Sequence, residues 1–255
     1  YISMKTAVLI TVRNGSKRLP NKALKDFFGY TTISFLINRI KMVNNFDKII
    51  LCTTDKDSDN SLVDIAKENN IEFFRGPEED KLLRWLQTMD NFQLDYIVNI
   101  DGDDLLACPV LADMAILQIQ KNKTDIVKSD KIICGAFTYA FSYKALKNMC
   151  KNKKTNKTEM VAPFFQSLSL KIEELEEVNI KYYRSDIRMT LDYIEDLIFF
   201  KKLVSLSKEK ILFKMKLSEI VDIVDFDSSI LELNYFRHLE WEKNQKQIIK
   251  NKKII

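Results

Sequence analysis

Short apolar runs alternate with amphipathic stretches along the first half of the chain. Ala7–Val12 (AVLITV) is continuously apolar, the pattern of a strand buried on both faces. From Thr31 to Asn44 the spacing changes. Ile33, Leu36, Ile37, Ile40 and Val43 recur at helical intervals, with Thr31 or Thr32 placed as the cap. Lys48–Thr53 (KIILCT) predicts a second buried strand, and Asn60–Asn69 a helix with Leu62, Ile65 and Ala66 on one face. Ile71–Phe74 predicts a third strand and Glu79–Met89 another helix. Tyr96–Ile100 (YIVNI) predicts a fourth strand, ending in the acidic loop Asp101-Gly102-Asp103-Asp104. Pro109 suits the first turn of a helix running to about Lys121.

Strands that are apolar throughout and alternate with helices predict an α/β fold around a mostly parallel sheet. Ligands of such sheets bind beyond the carboxyl ends of the strands. The polar loops Arg13–Lys22 and Asp101–Asp104 both follow strands directly, so the site is expected there.

The second half is less regular. Cys134–Phe141 and Arg188–Leu191 read as strands. Tyr143–Cys150 and about Tyr193–Ser207 read as helices, and Lys151–Lys157 as a basic loop. From about Ser228 to Lys250 a helical tail carries Leu231, Leu233, Tyr235, Phe236, Leu239 and Trp241. No repeat or linker divides the chain. The expectation is one domain over 4–255, with 130–185 as an acceptor or dimerisation subregion and 226–255 as a helical tail. A helix of that aromatic content packs on its own chain or on a twin subunit, which favours a homodimer.

Composition removes several classes. Of 255 residues, 46% are apolar and 11% aromatic, enough for a core and too many for disorder. Five glycines and four prolines leave no flexible linker or Pro-rich tract. Lysine and arginine number 40 against 36 acidic residues, and a net charge of +4 is by itself no nucleic-acid footprint, which needs clustering on one face. No apolar run approaches the ~18 residues of a membrane span. Arg13, Lys17 and Arg18 follow the first apolar run, which is not the layout of a signal peptide, so a cytoplasmic protein is expected. Tyr1–Ser3 precede Met4 and read as an extension. The four cysteines are widely separated, which suits reduced structural thiols. A single histidine, His238, excludes multi-histidine metal centres and itself reads as an ordinary surface or packing residue. Acid–base or metal chemistry must therefore rest on carboxylates, lysine and arginine.

Three segments could carry that chemistry. Arg13, Lys17, Arg18 and Lys22 put four cations in one loop, where charge-assisted hydrogen bonds could hold phosphate. Ser16 and the Gly15 and Ser16 amides would add neutral donors. The loop is neither a P-loop nor a dinucleotide fingerprint, and a solvated basic loop is the alternative. Asp101–Asp104 offers hard oxygen ligands suited to Mg2+, or an Asp-rich turn capping the next helix. Asp192 is either a second metal carboxylate at a strand end or the N-cap of its helix.

Arg13-x-x-Ser16-x-Arg18-Leu19-Pro20-x-Lys22 resembles the N-terminal signature of the cytidylyltransferases that activate sugar acids with CTP. Cys52-Thr53-Thr54-Asp55, Phe74-Arg75-Gly76, Gly102-Asp103 and the run from Arg188 through Thr190, Asp192, Glu195 and Asp196 to Leu197 follow in the order of that family. The spore coat polysaccharide branch is the most similar, with the Kdo and acylneuraminate enzymes as cousins. The resemblance covers residues 5 to about 110 and 185 to 205. It implies a three-layer nucleotide-diphospho-sugar transferase (glycosyltransferase A-like) fold with a mostly parallel mixed sheet.

It further implies Mg2+-dependent transfer of CMP from CTP to an anionic small molecule, with release of pyrophosphate, in cell-surface polysaccharide or capsule synthesis. Arg13, Gly15, Ser16, Arg18 and Lys22 would hold the triphosphate, with Lys22, Arg13 and Arg18 catalytic. Asp103 and Asp192 would hold Mg2+, and Arg75 and Asp101 would lie on the nucleotide side. Asp101 departs from the Gln of the Kdo branch, Ile194 from the usual Pro, and Glu159-Met160-Val161 from a Glu-His-Val pattern. The last change lies in the acceptor region. The acceptor is then a sugar acid or a phosphorylated metabolite such as phosphoglutamine. Lys128, Lys131, Lys144 and Lys151–Lys157 are candidate contacts, or simply surface lysines. Two other readings stay open: an A-type glycosyltransferase using Asp101-x-Asp103, and a non-catalytic nucleotide-binding scaffold.

Overall fold

The computed structural model describes residues 4–166, 168–241 and 243. The first half comprises β1 (Thr6–Thr11), the ribbon β2 (Asp26–Phe27) and β3 (Tyr30–Thr31), α1 (Thr32–Ile40), β4 (Lys48–Thr54), α2 (Asn60–Glu68), β5 (Glu72–Gly76), α3 (Lys81–Phe92), β6 (Tyr96–Asp101) and α4 (Pro109–Asn122). The second half comprises β7 (Ile126–Lys128), β8 (Tyr139–Ser142), α5 (Tyr143–Asn152), α6 (Ala162–Gln166), β9 (Ile172–Glu174), α7 (Ile194–Ser205) and α8 (Leu217–Phe226).

One sheet has the order β5-β4-β1-β6-β8-β7-β9. Its pairings are parallel except those of β8, which runs against both β6 and β7. The mostly parallel sheet expected from the apolar runs is therefore present, and β8 makes it mixed, as the resemblance implied. β1 lies between two parallel partners, and all six of its residues are buried. Its side chains alternate between two cores, as the period of two in a strand requires. Val8 and Ile10 join Ile33, Ile37 and Ala66 from α1 and α2. Ala7 and Leu9 join Leu82, Trp85 and Met89 from α3 and Leu146 from α5. Helices thus cover both faces, giving three layers.

Several local expectations need correction. α1 stops at Ile40, not Asn44, because the Asp113 carboxylate of α4 accepts hydrogen bonds from the amides of Asn44 (2.9 Å) and Asn45 (3.0 Å). Cys134–Phe141 is not one strand. Only Tyr139–Ser142 joins the sheet, and Gly135 (φ +85°) turns the chain before it. Arg188–Leu191 is not a strand either. Its amides are shared between two loops, Met189 N–H bonding Cys134 O and Leu191 N–H bonding Asp103 O, both at 2.8 Å. The tail expected over 226–255 is interrupted. α8 ends at Phe226, a 3-10 turn spans Ser228–Leu233, and residues 235–241 are helical. Tyr1–Ser3 and the end of the tail from 244 to 255 lie outside the described residues. Among the described residues no helix is long and apolar enough to cross a membrane.

Parallel pairing brings the site loops together. Thr11 is in register with both Cys52 and Asp101, so the loops after β1 and β6 leave the sheet side by side. They touch at Gly102, whose amide bonds Thr11 O at 2.8 Å; a Cβ there would lie 2.5 Å from the Val12 Cβ. Gly135 is constrained more severely, since a Cβ would meet Met189 O at 2.0 Å. Left-handed strain and this backbone clash together predict that Gly135→Ala lowers stability by about 2–4 kcal/mol. Chemical denaturation measures it, and a loss within error of zero would mean that the 134–135 turn does not hold the 188–191 segment in place.

Candidate active site

A cavity of about 1570 Å3 opens at the carboxyl edge of the sheet, where the three segments singled out in the sequence meet. The first loop is anchored at its start. Asn14 N–H donates to the buried Asp59 carboxylate at 2.8 Å, and the same carboxylate accepts from Thr53 and Thr54 at the end of β4. Arg13, Gly15, Ser16, Lys17, Arg18 and Lys22 all line the cavity. The Ser16 amide is already bonded to Asn14 O at 2.9 Å, so it is not the free donor the sequence suggested. Arg13 is held only loosely, 3.9 Å from Glu78 and 3.6 Å from Glu159.

Lys22 lies deeper. Its Nζ is 2.6 Å from Asp103 Oδ2 and 3.1 Å from Asp192 Oδ1, so one ammonium joins carboxylates from two distant parts of the chain. Burial disfavours the charged ammonium, yet Asp103 and Asp192 outweigh it and raise the Lys22 pKa above the ordinary lysine range. Arg18 Nη2 reaches Asp192 Oδ1 at 2.5 Å, and the fully buried Arg188 reaches Asp192 Oδ2 at 3.0 Å. Burial pushes the Asp192 carboxyl up, but Lys22 and Arg18 more than offset this and hold it below its ordinary value. Asp192 does not cap its helix. Asp196 does, accepting from the amides of Asp192 and Tyr193 at 2.9 Å each, which leaves the Asp192 carboxylate for the cavity.

Asp101 has a different partner. Lys81 Nζ bonds Asp101 Oδ1 at 2.8 Å, and the same oxygen accepts from Asn99 Nδ2 at 3.1 Å. The pair is braced by Trp85, whose indole N–H donates to Thr11 Oγ1 at 2.8 Å; Thr11 in turn donates to Asn99. Burial works against the Asp101 charge, and Lys81 holds its carboxyl below the ordinary range nonetheless. The two aspartates of Asp101-x-Asp103 are thus tied to two different lysines.

Arg75 is not brought to the cavity lining. Its guanidinium bonds Thr54 O, Asn60 Oδ1 and Lys56 O, bracing the ends of β4 and β5. Of the lysines considered for an acceptor, only Lys131 lines the cavity. Lys128 pairs with Asp130 and Glu174, and Lys153 with Asp80. Sequence reasoning missed Lys81 and Arg84, which line the wall from the buried face of α3 beside Trp85. Two charges on the apolar face of an amphipathic helix were the available signal. It also missed the place of His238, which packs between Tyr235 and Trp241 at ring distances of 5.8 and 5.9 Å and lines the cavity. Cys134 lines it too, and burial pushes its thiol up to about 12, which favours the neutral thiol over the thiolate. All four cysteines are free, as expected.

The sequence model of the cytidylyltransferases matches residues 7–248. The chain belongs to the cytidylyltransferase family. A protein of Methanocaldococcus jannaschii that is itself uncharacterized is 33% identical over 234 residues, covering 91% of this chain and 95% of that one. Among solved structures, a cytidylyltransferase from Leptospira borgpetersenii superimposes with a TM-score of 0.81 at 22% identity, over 90% of this chain and 97% of that one. A CMP:2-keto-3-deoxy-manno-octonic acid synthetase complexed with CTP superimposes with a TM-score of 0.64 at 14% identity, over 79% and 98%. At these identities the solved structures establish a shared fold. The protein is a nucleotidyltransferase with the CTP-dependent chemistry of its family.

Two carboxylates that meet one ammonium can also meet one hard cation, and the oxygen donors suit Mg2+. Among the described residues no group of three or more His, Cys, Asp or Glu could hold a metal. A divalent ion at this pair would therefore need substrate oxygens and water to complete its shell.

Asp104 supplies a test of the electrostatics. Burial, together with Asp103 and Asp101, raises its pKa well above the ordinary carboxyl value. A raised carboxyl holds its proton longer in the folded chain, so its contribution is present at low pH and is lost as pH rises from about 4 through the folded pKa. Asp104→Asn is therefore expected to gain stability relative to the parent as pH rises, and to be at least as stable at pH 8. Melting temperatures from pH 4 to 8 measure this; parallel curves would refute it.

Proposed function

We propose that the protein transfers CMP from CTP to an anionic small-molecule acceptor, with Mg2+ held by Asp103 and Asp192 and pyrophosphate as the leaving group. The observation that carries this reading is the convergence of Lys22, Asp103 and Asp192 beside the Arg13–Lys22 loop. In this reading the fold is the glycosyltransferase A-like scaffold, and residues 4–255 act as one domain. The 130–185 segment and the tail residues His238 and Trp241 form the acceptor side, since both contribute to the cavity wall.

An acceptor oxygen attacks the α-phosphorus in line, and the bond to the β-phosphate oxygen breaks. Positioning and charge neutralisation are the protein's contribution. Arg13, Arg18 and Lys22, with the Gly15 amide and the Ser16 hydroxyl, hold the triphosphate. Lys22 and Arg18 then stabilise the charge that accumulates on departing pyrophosphate. Arg188 fixes Asp192 from behind. When bound, Mg2+ supplies Lewis acidity and a template for the reacting oxygens. A phosphate or carboxylate acceptor needs no general base, and no histidine other than His238 is present to be one. Sugar transfer through Asp101-x-Asp103 is disfavoured, because Lys81 holds Asp101 and the family chemistry is nucleotidyl transfer. Arg75 has no part here, its guanidinium being committed to the strand ends.

Pyrophosphate release tests the reading. The four nucleoside triphosphates are offered with Mg2+ and a panel of acidic sugars and phosphorylated metabolites, including phosphoglutamine. Release with CTP and one acceptor, abolished by EDTA, is expected; release with UTP or GTP instead refutes the cytidylyl assignment. Lys22→Ala and Asp103→Asn should each lower the rate on the order of 10² to 10³. An unchanged rate in either variant removes that residue from the chemistry.

A further inference from the structure

The carboxylate pair already holds a cation, and it is part of the chain. Asp103 Oδ2 bonds Lys22 at 2.6 Å. Asp192 Oδ1 bonds Lys22 at 3.1 Å and Arg18 at 2.5 Å, and Asp192 Oδ2 bonds Arg188 at 3.0 Å. We propose that Lys22, the one cation bonded to both carboxylates, occupies the seat of the divalent ion, so that this pair accepts metal only after a triphosphate has drawn Lys22 away. The inference rests on the reading of Asp103 and Asp192 as metal ligands.

The three cations around Asp192 differ in mobility. Arg188 is fully buried and also bonds Asp196 at 3.1 Å, and Asn234 bonds both Arg188 O and Asp196 Oδ1. Arg188 is therefore fixed and serves as a positioning residue. Lys22 and Arg18 stand on the loop after β1, line the cavity and extend from flexible stems; the Arg18 side chain is 47% exposed. They are the two that can exchange partners. A triphosphate offers them several anionic oxygens at once, in charge-assisted contacts that replace those to the carboxylates.

With Lys22 in its seat, an approaching dication meets an ammonium at contact distance and ligand oxygens already in use. Repulsion between like charges at contact distance disfavours that approach. Once Lys22 and Arg18 turn to phosphate, Asp103 Oδ2 and Asp192 Oδ1 lose their neutralising partners and gain affinity for a cation. Each event favours the other, and linkage makes the coupling reciprocal. The nucleotide therefore binds first, or arrives as its metal complex.

Mn2+ is the probe, read by the electron paramagnetic resonance of the free ion. The wild-type chain without nucleotide is expected to bind Mn2+ poorly. Lys22→Met should bind it more tightly by on the order of 10- to 100-fold. Lys22→Met/Asp103→Asn should lose that gain. Equal Mn2+ affinity in the wild type and Lys22→Met overturns the proposal, as does a gain that survives Asp103→Asn. Lys22→Gln serves as the second variant, with melting temperatures to verify folding. If neither variant folds, the wild type decides, because tight Mn2+ binding with no nucleotide overturns the proposal by itself. CTP binding in EDTA is the separate readout. Retained binding supports the order, and binding that requires metal first overturns it. No CTP binding with or without metal would instead refute the cytidylyl reading.

Discussion

Four carboxylates, Asp101, Asp103, Asp104 and Asp192, are gathered at one edge of a parallel sheet, and that concentration of charge governs what surrounds it. Each has to be neutralised, protonated or tied down. Lys22 joins Asp103 to Asp192, Lys81 takes Asp101, Arg188 takes the far oxygen of Asp192, and Asp104 holds its proton to higher pH. The loop after β1 follows the same demand, since the residue that closes it, Lys22, is the one that reaches both carboxylates. Electrostatics and backbone agree here. Leu191 N–H bonds Asp103 O, so the segment carrying Asp192 is hydrogen-bonded to the residue whose charge it must share.

The first half of this arrangement was legible in the sequence because its determinants are local. An apolar run such as Ala7–Val12 can be satisfied only by burial on both faces. Strands of that kind paired in parallel place the loops after them at one edge. That reasoning located Arg13–Lys22 and Asp101–Asp104 without any contact information. The second half was less legible because its backbone hydrogen bonds are long-range. Arg188–Leu191 alternates polar and apolar residues as a strand does, yet its amides bond single carbonyls of Cys134 and Asp103. No periodicity reports a bond between residues nearly ninety positions apart.

The same distinction separates the site residues found from those missed. Lys22 belongs to a dense cationic motif. Lys81 shares the buried face of its helix with Arg84 among apolar and aromatic neighbours, and only its contact with Asp101 gives it meaning. Arg75 is the converse case. A motif resemblance marked it, but each of its three nitrogens donates to Thr54, Asn60 or Lys56, and a guanidinium so held braces the strand ends. Resemblance selects residue types; hydrogen-bond accounting decides what each is free to do.

The separation of Asp101 from Asp103 follows from strand geometry. Asp101 is the last residue of β6 and Gly102 turns the chain, so the carboxylates on either side of that glycine meet different neighbours. Asp101 keeps the environment of the sheet edge, where Asn99, Thr11 and Trp85 pass hydrogen bonds along a buried line to it. Lys81, itself buried, completes that line from α3, and the shared Asn99 contact braces the pair. Asp103 lies past the turn, where its partner Lys22 stands at the end of a loop. One acidic tetrapeptide therefore presents two carboxylates in different surroundings, one braced by the sheet edge and one paired with a loop lysine. The turn at Gly102 divides them, and a side chain there would push into Val12 and disturb both at once.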